Sequence, residues 1–337
     1  MASRPAEPPT YSLVIPIYNE EAVLPVLLHR LDRLLERLDG PAEVIIVDDG
    51  SRDAGSIVAA ARAMSDPRYR YLALSRNFGH QIAITAGLDA AEGDAVVIMD
   101  ADLQDPPEVV LELAAKWRDG FDVVYARRVT RQGESRFKRW TAAVFYRLLG
   151  KLTSVEIPAN VGDFRLVDRK VLDAFRAMPE RDRFVRGMFA WLGFSQTEIA
   201  FHREGRNAGR TKYNAAKMIR LALDGIVAFS DVPLRLALWA GMLVSFCALA
   251  YGSYVIWLAF HDTRLVSGWA STVVVISLLS GVNLLMTGIT GLYVGRIHSE
   301  VKSRPLYVVG RTVNLDLATV PDRIPEAPRR PARRLAS

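Results

Sequence analysis

Short apolar runs alternate with amphipathic segments between residues 11 and 128. The apolar runs have the length of buried strands, and the segments between them repeat apolar residues at helical spacing. Alternation of strands and helices at this spacing predicts a parallel sheet with right-handed crossovers, and therefore an α/β fold. The predicted strands span residues 12–16, 44–47, 71–74, 95–99 and 123–126, and the predicted helices span residues 20–38, 54–64, 81–91 and 107–117.

The pattern is less regular between residues 136 and 201. Residues 137–149 predict a helix, and residues 158–165 predict a loop. The basic, glycine-containing stretch 203–213 predicts a further loop. Residues 214–229 are amphipathic with a basic polar face, which is typical of a helix in the membrane interface. An ordinary packing helix is the alternative for this segment.

Two segments, residues 236–260 and 266–295, carry no charged side chain. Each is longer than the roughly 20 apolar residues that a membrane-spanning helix needs. The alternative is a pair of buried core helices, but such helices rarely lack charge over so many residues. Basic residues flank the pair, whereas the loop 261–264 holds one Asp and one Arg. The positive-inside rule therefore predicts that both termini are cytoplasmic.

The chain has 43 Lys and Arg against 37 Asp and Glu, a formal net charge of +6. Part of the excess lies in residues 323–337, where Pro and Arg recur and apolar residues are few. This composition predicts a disordered tail, which could serve only for solubility. Beside membrane spans, a basic tail favours anionic lipid over nucleic acid, so we expect no nucleic-acid partner.

Acidic pairs follow two of the predicted strands. Asp100 and Asp102 come directly after residues 95–99, and Asp48 and Asp49 come after residues 44–47. Parallel strands deliver both pairs to one carboxyl edge, where open α/β sheets bind ligands. Two carboxylates one residue apart can be aimed at one divalent cation and the diphosphate that it carries. For Asp48 and Asp49 a simple turn is the alternative, because Asp-Gly favours turns.

Several common nucleotide and hydrolase motifs are missing from the sequence. It has no G-x-G-x-x-G, no G-x-x-x-x-G-K-[ST], no H-E-x-x-H and no G-x-S-x-G. This argues against a dinucleotide oxidoreductase, a P-loop nucleotidase, a zinc protease and an α/β-hydrolase. The phosphates of a nucleotide would have to be held by a metal on carboxylates, with basic side chains nearby.

Three motifs resemble the family 2 inverting glycosyltransferases of the GT-A fold: PIYNE at 16–20, VDDGS at 47–51 and DADLQDPP at 100–107. Three more stretches extend the likeness, namely GDFRL at 162–166, the basic loop 206–213 and GLYVGR at 291–296. They resemble the polyprenyl-phosphate glycosyltransferases, which include dolichol-phosphate mannose synthase and the bacterial undecaprenyl-phosphate (bactoprenol) glucosyltransferases. The similarity covers residues 11–307.

The resemblance implies a division of the chain. After a disordered stretch 1–10, a GT-A nucleotide-sugar-binding domain would occupy residues 11–213. An amphipathic interface helix at 214–232 and a two-helix transmembrane region at 233–297 would follow. The remaining segment 298–337 would be cytoplasmic and would carry the basic disordered tail. By analogy with similar transferases, the resemblance also implies a homo-oligomer, and in particular a tetramer.

The resemblance also implies a nucleotide-sugar site. The residues that would line the base and ribose are Pro16, Tyr18, Glu20, Val47 and Asp49, with Asp49 contacting the base or the ribose.

For the diphosphate, the resemblance implies Asp100, Ala101 and Asp102, with Mg²⁺ or Mn²⁺ as the cofactor. Hard carboxylate oxygens suit both ions. Asp102 would be the catalytic metal ligand, and Asp100 and Gln104 would complete its coordination. Arg127, at the end of a predicted strand, would bind a phosphate.

On the acceptor side, the resemblance implies that Asp163 is catalytic, either as a general base or by orienting the sugar or Arg165. The acceptor would be a lipid phosphate, whose second pKa is about 6, so its oxygen needs little deprotonation. Arg165, Arg206 and Lys212 would bind that phosphate. Charge of the positive-inside kind is the alternative for the last two.

The implied reaction is inverting transfer of a sugar from a nucleotide donor, such as UDP-glucose or GDP-mannose, to a polyprenyl phosphate. It would take place at the cytoplasmic membrane of a bacterium. One alternative is a processive polysaccharide synthase, but the chain lacks a Q-x-x-R-W motif and has only two predicted spans. Another is a non-catalytic membrane assembly factor, against which the intact acidic motifs argue. A transfer assay with added metal would discriminate between them.

Overall fold

The structure is a computed structural model, and it describes residues 8–128, 161–181, 183–201, 232–261 and 268–316. These residues fall into two units. One contains the sheet, and the other contains two long apolar helices.

Eight strands of the described residues form one sheet in the order β7-β5-β6-β4-β1-β2-β3-β8. The four adjacent strands β4, β1, β2 and β3 are parallel, which confirms the predicted, mostly parallel α/β sheet. Strand β7 is parallel to β5, whereas β6 and β8 are antiparallel to their neighbours. The strands are β1 Tyr11–Ile17, β2 Ala42–Asp48, β3 Tyr69–Leu74, β4 Ala95–Ile98, β5 Val123–Arg128, β6 Val161–Asp168, β7 Gln196–Phe201 and β8 Val309–Val313.

Helices cover both faces of this sheet, and each face has its own apolar core. Helices α1, α2 and α4 contribute to one core, and α3, α5 and α6 contribute to the other. Four of them lie within a few residues of the predicted helices. The helices of this unit are α1 Leu24–Leu35, α2 Gly55–Ser65, α3 His80–Ala90, α4 Val109–Arg118, α5 Arg169–Ala177 and α6 Val185–Trp191.

Helix α3 lies against the centre of the sheet without an intervening side chain at Gly87. A Cβ atom on Gly87 would come under 3.0 Å from side-chain atoms of Val14 on β1 and Val47 on β2. The close approach fixes the height of α3 over the sheet. It therefore also fixes the first residues of α3, which point toward the carboxyl ends of the parallel strands.

The prediction of a loop at residues 158–165 is wrong for its second half. Strand β6 begins at Val161 and lies between β4 and β5, antiparallel to both. Phe164 and Leu166 are fully buried, but Asp163 and Arg165 alternate with them and are buried as well. Two buried charges interrupt the apolar run by which a central strand is normally recognised.

The chain returns to the sheet after the apolar helices. Strand β8, which lies in the segment 298–337 predicted as a separate cytoplasmic segment, pairs antiparallel with β3. The Ser75 N–H donates to the Val308 carbonyl at 2.8 Å, and the Tyr307 hydroxyl donates to Asp89 at 2.9 Å. Strand β8 therefore adds residues from after the apolar helices to one edge of the sheet.

Two long helices form the second unit, α7 Val232–His261 and α8 Trp269–Val301. By length and composition, both are long and apolar enough to cross a membrane. Their large apolar side chains are exposed, Phe246 at 71% and Leu284 at 73%. The alternative of two buried core helices would need these side chains to be covered. The predicted helices at 137–149 and 214–229 and the loop 203–213 lie outside the described residues.

Gly87→Ala tests how closely α3 approaches the sheet. At an exposed helix position, a change from glycine to alanine increases the free energy of unfolding by up to about 1 kcal/mol, because alanine has the higher helix propensity. At Gly87 we expect the free energy of unfolding to fall by about 1–3 kcal/mol instead, since the added methyl group overpacks the core. The measurement is the midpoint of thermal unfolding of the full chain in detergent.

Gly252→Ala on α7 is the matched control, because a Cβ atom there meets nothing within 4 Å. It should not lower the midpoint. Equal midpoints for Gly87→Ala and the wild type would show that α3 does not lie as close to the sheet as described.

Candidate active site

A cavity of about 460 Å³ opens at the carboxyl edge of the parallel strands. It is bounded by the segments that follow β1, β2 and β4 and by the start of α3. Seven of the residues predicted to bind the nucleotide sugar line it. The lining residues are Pro16, Ile17, Tyr18, Glu20, Asp49, Asn77, Gly79, His80, Ala83, Asp100, Ala101 and Asp102.

Two residues predicted for the donor or its metal are buried elsewhere in the described part of the chain. Val47 is fully buried in the core beneath α3, where its side chain faces Gly87. Gln104 is 5% exposed, and its backbone N–H donates to Asp102 at 3.0 Å. Gln104 therefore supports the shape of the Asp102 loop, and Val47 supports the sheet beneath the cavity.

Asp48 and Asp49 have different roles in the structure. Asp48 accepts hydrogen bonds from the Tyr71 hydroxyl at 2.7 Å and from the Ser51 N–H at 2.8 Å, so it stabilises the turn. Asp49 accepts from the backbone N–H groups of Phe78 and Gly79, at 2.7 and 3.0 Å. Burial raises the pKa of Asp49, and these two hydrogen bonds only partly offset that effect. Asp49 thus fixes the loop before α3 while it also lines the cavity.

Asp100 and Asp102 differ in their surroundings. Asp102 accepts the Gln104 N–H, and Leu103 between them has a φ of 58°, which makes a sharp turn of this loop. Asp100 Oδ1 is buried and has no hydrogen-bond partner among the described residues, although His80 Nε2 lies 3.4 Å away. Burial raises the pKa of Asp100. His80 lowers this pKa, whereas the negative charges of Asp163 and Asp102 raise it further.

This pair fits a divalent cation that arrives with a diphosphate. Within the described residues, no group of three or more His, Cys, Asp or Glu could hold a metal ion. Mg²⁺ is usually bound by one or two carboxylates together with substrate phosphates and water. Asp100 and Asp102 supply two carboxylates, and Asp100 Oδ1 is a buried oxygen without a hydrogen bond. We conclude that these two carboxylates suit a cation whose remaining coordination positions are filled by substrate phosphates and water.

Asp163 lies on β6 and reaches the same edge from an antiparallel strand. Ile98 pairs with Arg165, so two residues further along each strand Asp100 and Asp163 face each other. Arg186 holds Asp163 with two hydrogen bonds, at 2.7 and 3.0 Å. His80 Nε2 and Gln81 Nε2 each lie 3.3 Å from Asp163 Oδ2.

These contacts bear on the two predicted roles of Asp163, which stay predictions. Burial by itself raises the pKa of Asp163, but the hydrogen bonds of His80 and Arg186 and the charges of Arg186 and Arg165 outweigh it. The pKa of Asp163 is therefore held well below its usual value. A carboxylate with this pKa and these hydrogen bonds is a weak proton acceptor. The geometry favours the orienting role.

Arg165 does not offer its guanidinium to a ligand. It is 4% exposed and donates to the Gly162 carbonyl at 3.0 Å and weakly to the Asp163 carbonyl at 3.4 Å. Burial lowers its pKa to about 10. These contacts give Arg165 a structural role on β6, and its phosphate-binding role stays a prediction.

Arg127 is also engaged elsewhere, since it donates to Glu198 on β7 at 2.7 Å. Its neighbour Arg128 comes within 3.4 Å of Asp105, in the loop that carries Asp102, and its charge lowers the pKa of Asp100. The arginine of this pair that faces the acidic edge is Arg128. Arg206 and Lys212 lie outside the described residues, so their roles stay predictions.

His80 and Arg186 were not identified as site residues from the sequence. His80 is the first residue of α3, and Arg186 is the second residue of α6. Gln81 connects the two helices, because its side-chain oxygen accepts the Val185 N–H at 3.0 Å. A basic residue at the start of the helix after β3 is a weak signal for His80, and no motif marks Arg186.

Comparisons with known proteins agree on one family. The model described as Glycosyl transferase family 2 matches residues 12–176. The uncharacterized glycosyltransferase YkcC of Bacillus subtilis (strain 168) is 46% identical over 91% of this chain and 95% of its own length. The bactoprenol glucosyl transferase of Shigella phage SfII is 40% identical over 89% of this chain and 97% of its own length.

One solved structure illustrates the limit of structural likeness. Glucosyl-3-phosphoglycerate synthase from Mycobacterium tuberculosis, in complex with phosphoglyceric acid, aligns with a TM-score of 0.47 and 22% identity. The alignment covers 65% of this chain and 79% of that one. Likeness at this level transfers neither a substrate nor a cofactor.

Arg186→Gln tests the low pKa of Asp163. The change removes the bidentate partner, so the pKa of Asp163 should rise toward about 3.9. A carboxylate whose pKa is lowered by folding contributes stability that is fully present above its unfolded-state pKa and is lost as the pH falls further. We expect Arg186→Gln to unfold at a lower temperature than the wild type at pH 7, with a difference that narrows below about pH 4.

Arg127→Gln is the control, since Arg127 and Glu198 are each 42% exposed and such pairs contribute little. It should change the unfolding temperature slightly and equally at each pH. A difference for Arg186→Gln that stays constant between pH 7 and pH 3 would contradict the account of Asp163.

Proposed function

Because this chain belongs to glycosyl transferase family 2, we propose that it transfers a sugar from a nucleotide-diphosphate donor to a polyprenyl phosphate, with inversion at the anomeric carbon. The observation that carries the proposal is the cavity, which gathers seven residues of the predicted donor site around Asp100 and Asp102. Bactoprenol glucosyl transferases align with this chain over nearly their whole length. They support glucose as the sugar and a polyprenyl phosphate as the acceptor.

The donor fits the cavity by its charge. The base and ribose lie along Pro16, Tyr18 and Glu20, where the Tyr18 ring is 43% exposed. The diphosphate lies toward Asp100 and Asp102. Two carboxylates repel a diphosphate, so Asp100 and Asp102 would have to hold a divalent cation, Mg²⁺ or Mn²⁺, that offsets this repulsion. When bound, that ion supplies charge neutralisation to the leaving group.

The residues of the chain then act by position. Asp100 and Asp102 would hold the cation, which would supply charge neutralisation at the diphosphate end of the donor. The acceptor phosphate oxygen forms the new bond to the anomeric carbon as the bond from that carbon to the diphosphate breaks. The acceptor oxygen is already ionised near neutral pH, so it needs no proton acceptor. Asp163, fixed by Arg186 and Gln81, orients the reacting groups instead.

The two apolar helices support a membrane location for this reaction. A polyprenyl phosphate keeps its tail in the bilayer and its headgroup at the surface. Helices α7 and α8 would hold the sheet unit of the same chain at that surface. We infer the cytoplasmic membrane of a bacterium, with both termini in the cytoplasm. The interface helix at 214–232 and the tetramer stay predictions.

Asp102→Asn tests the donor site. We expect transfer to fall about 100- to 1000-fold, because the amide cannot neutralise or hold the cation that stabilises the leaving diphosphate. The measurement is the transfer of radiolabel from UDP-glucose into the lipid fraction of membranes that contain the protein, with GDP-mannose and other labelled donors in parallel.

Asp94→Asn is the matched control, since Asp94 is exposed at the opposite end of the same strand. It should leave transfer unchanged. Full transfer by folded Asp102→Asn would refute the assignment. Incorporation from none of the donors by the wild type would refute the proposed reaction itself.

Removal of divalent cations tests the cofactor separately. Treatment of the membranes with a chelator should abolish transfer, and added Mn²⁺ or Mg²⁺ should restore it, because the carboxylates otherwise repel the diphosphate. The readout is again the label in the lipid fraction. Transfer that persists after chelation would contradict the cation while leaving the sugar-transfer proposal in place.

A further inference from the structure

We propose that residues 307–310, which follow the two apolar helices and lead into β8, are a positioning element of the donor site. We call them the strap, and we call residues 75–79, between β3 and α3, the donor loop. The strap holds the first residue of the donor loop, and the donor loop carries Asn77 and Gly79 to the cavity. The inference rests on the proposed function, because it concerns binding of the nucleotide.

The strap contacts the donor loop directly. The Ser75 N–H donates to the Val308 carbonyl at 2.8 Å, one residue beyond the end of β3. A Cβ atom on Gly310 would lie 3.3 Å from Ser75 Cα, which leaves little room for a side chain between the two backbones. The pairing of β8 with β3 shifts its register between Ala73 and Leu74, directly before the donor loop. The strap therefore determines where the donor loop leaves the sheet.

The strap is itself anchored within the sheet unit. Tyr307 is buried, and its hydroxyl donates to Asp89 on α3 at 2.9 Å. Tyr307 and Val309 belong to the apolar core that α3 covers, and Phe78 of the donor loop packs against the same core. The strap and the donor loop thus share one packed support, so a shift of the strap reaches the donor loop.

The other end of the donor loop is held by Asp49, which accepts the N–H groups of Phe78 and Gly79. Arg76 lies over the Phe78 ring, with its Cζ atom 4.0 Å from the ring centre, so these two side chains contact each other. Asn77 lies between them and lines the cavity. The donor loop is therefore fixed at both ends, by the strap and by Asp49, with Asn77 between the two anchors.

The position of Asn77 is what the strap controls. Asn77 is exposed, and its amide group offers both a hydrogen-bond donor and an acceptor to a ligand in the cavity. Binding groups must be held within about 0.5 Å of the productive geometry. Ser75 is two residues before Asn77, so displacement of Ser75 weakens the contact of Asn77 with the nucleotide. Asp49 lines the cavity as well, so the strap is the anchor that can be changed without removing a group from the cavity.

Gly310→Val tests the strap. Valine is favoured in strands, so the change preserves β8 while it presses on Ser75. We expect the full-length protein in detergent to bind UDP about tenfold more weakly, which corresponds to the loss of about one hydrogen bond. The measurement is calorimetric titration with UDP, and with GDP in parallel. In the transfer assay KM for the donor should rise by the same factor with kcat unchanged, because the strap contacts no reacting group.

Hydrogen exchange, followed by mass spectrometry, reports on the contact itself. A peptide that covers the donor loop should exchange faster in Gly310→Val than in the wild type, because the Ser75 N–H loses its acceptor. Addition of UDP should slow exchange of this peptide in the wild type.

Asn314→Ala is the matched control, because Asn314 lies beyond the other end of β8. Its amide donates to the Ala63 carbonyl and, at 3.0 Å, to the Tyr69 carbonyl at the beginning of β3. The change should lower the midpoint of thermal unfolding but leave UDP affinity and exchange of the donor loop as in the wild type. Gly310→Ala adds only the Cβ atom, serves if Gly310→Val fails to fold, and should show the same changes to a smaller extent.

Unchanged UDP affinity in folded Gly310→Val would overturn the inference, even if the donor loop exchanged faster. Equal weakening in Asn314→Ala would overturn it as well, because UDP affinity would then follow stability and not the contact with Ser75. If the wild type binds neither UDP nor GDP, the donor of the proposed function is wrong and the inference falls with it. Binding by the wild type without a change in Gly310→Val contradicts the strap alone.

Discussion

Four carboxylates share one edge of the sheet, and the fold must compensate the repulsion among them. Asp49 is compensated by backbone N–H groups, and Asp163 by an arginine and two further side chains. Asp100 and Asp102 have less support, and Asp100 Oδ1 has no hydrogen bond among the described residues. A buried carboxylate oxygen without a hydrogen bond is costly. The remaining negative charge suits a cation bound to phosphate, as the proposed function requires.

The topology of the sheet explains why these groups meet. Asp49 and Asp100 follow parallel strands, which deliver their ends to one edge. Asp163 comes from the beginning of β6, and the antiparallel direction of that strand brings its start beside the end of β4. A parallel strand in the same place would have carried Asp163 to the opposite edge. The antiparallel insertion thus adds Asp163 to an edge whose other carboxylates follow parallel strands.

The sequence was sufficient for the regular part of this architecture and insufficient for its exceptions. Strands β1 to β5 and helices α1 to α4 have apolar periodicity, and the acidic pairs mark the strand ends that form the cavity. Strand β6 was missed because its buried charges, Asp163 and Arg165, break the apolar pattern. Strand β8 is five residues long and follows the apolar helices, so only pairing with β3 identifies it. Arg127 and Arg128 are adjacent on β5, and composition alone does not tell which one faces the acidic edge.

The chemistry of the acceptor gives the low pKa of Asp163 a physical purpose. A hydroxyl acceptor must lose a proton as it attacks, so its enzyme needs a carboxylate with a pKa near the working pH. A phosphate acceptor arrives ionised and needs no such group. A permanently charged carboxylate would, however, repel that phosphate unless it were covered. Arg186, His80 and Gln81 contact Asp163, so its carboxylate is held in one orientation. Their contacts also reduce the negative charge that would face the acceptor. In the proposed reaction, the arginine and histidine around Asp163 would thus let one acidic edge receive two anionic substrates.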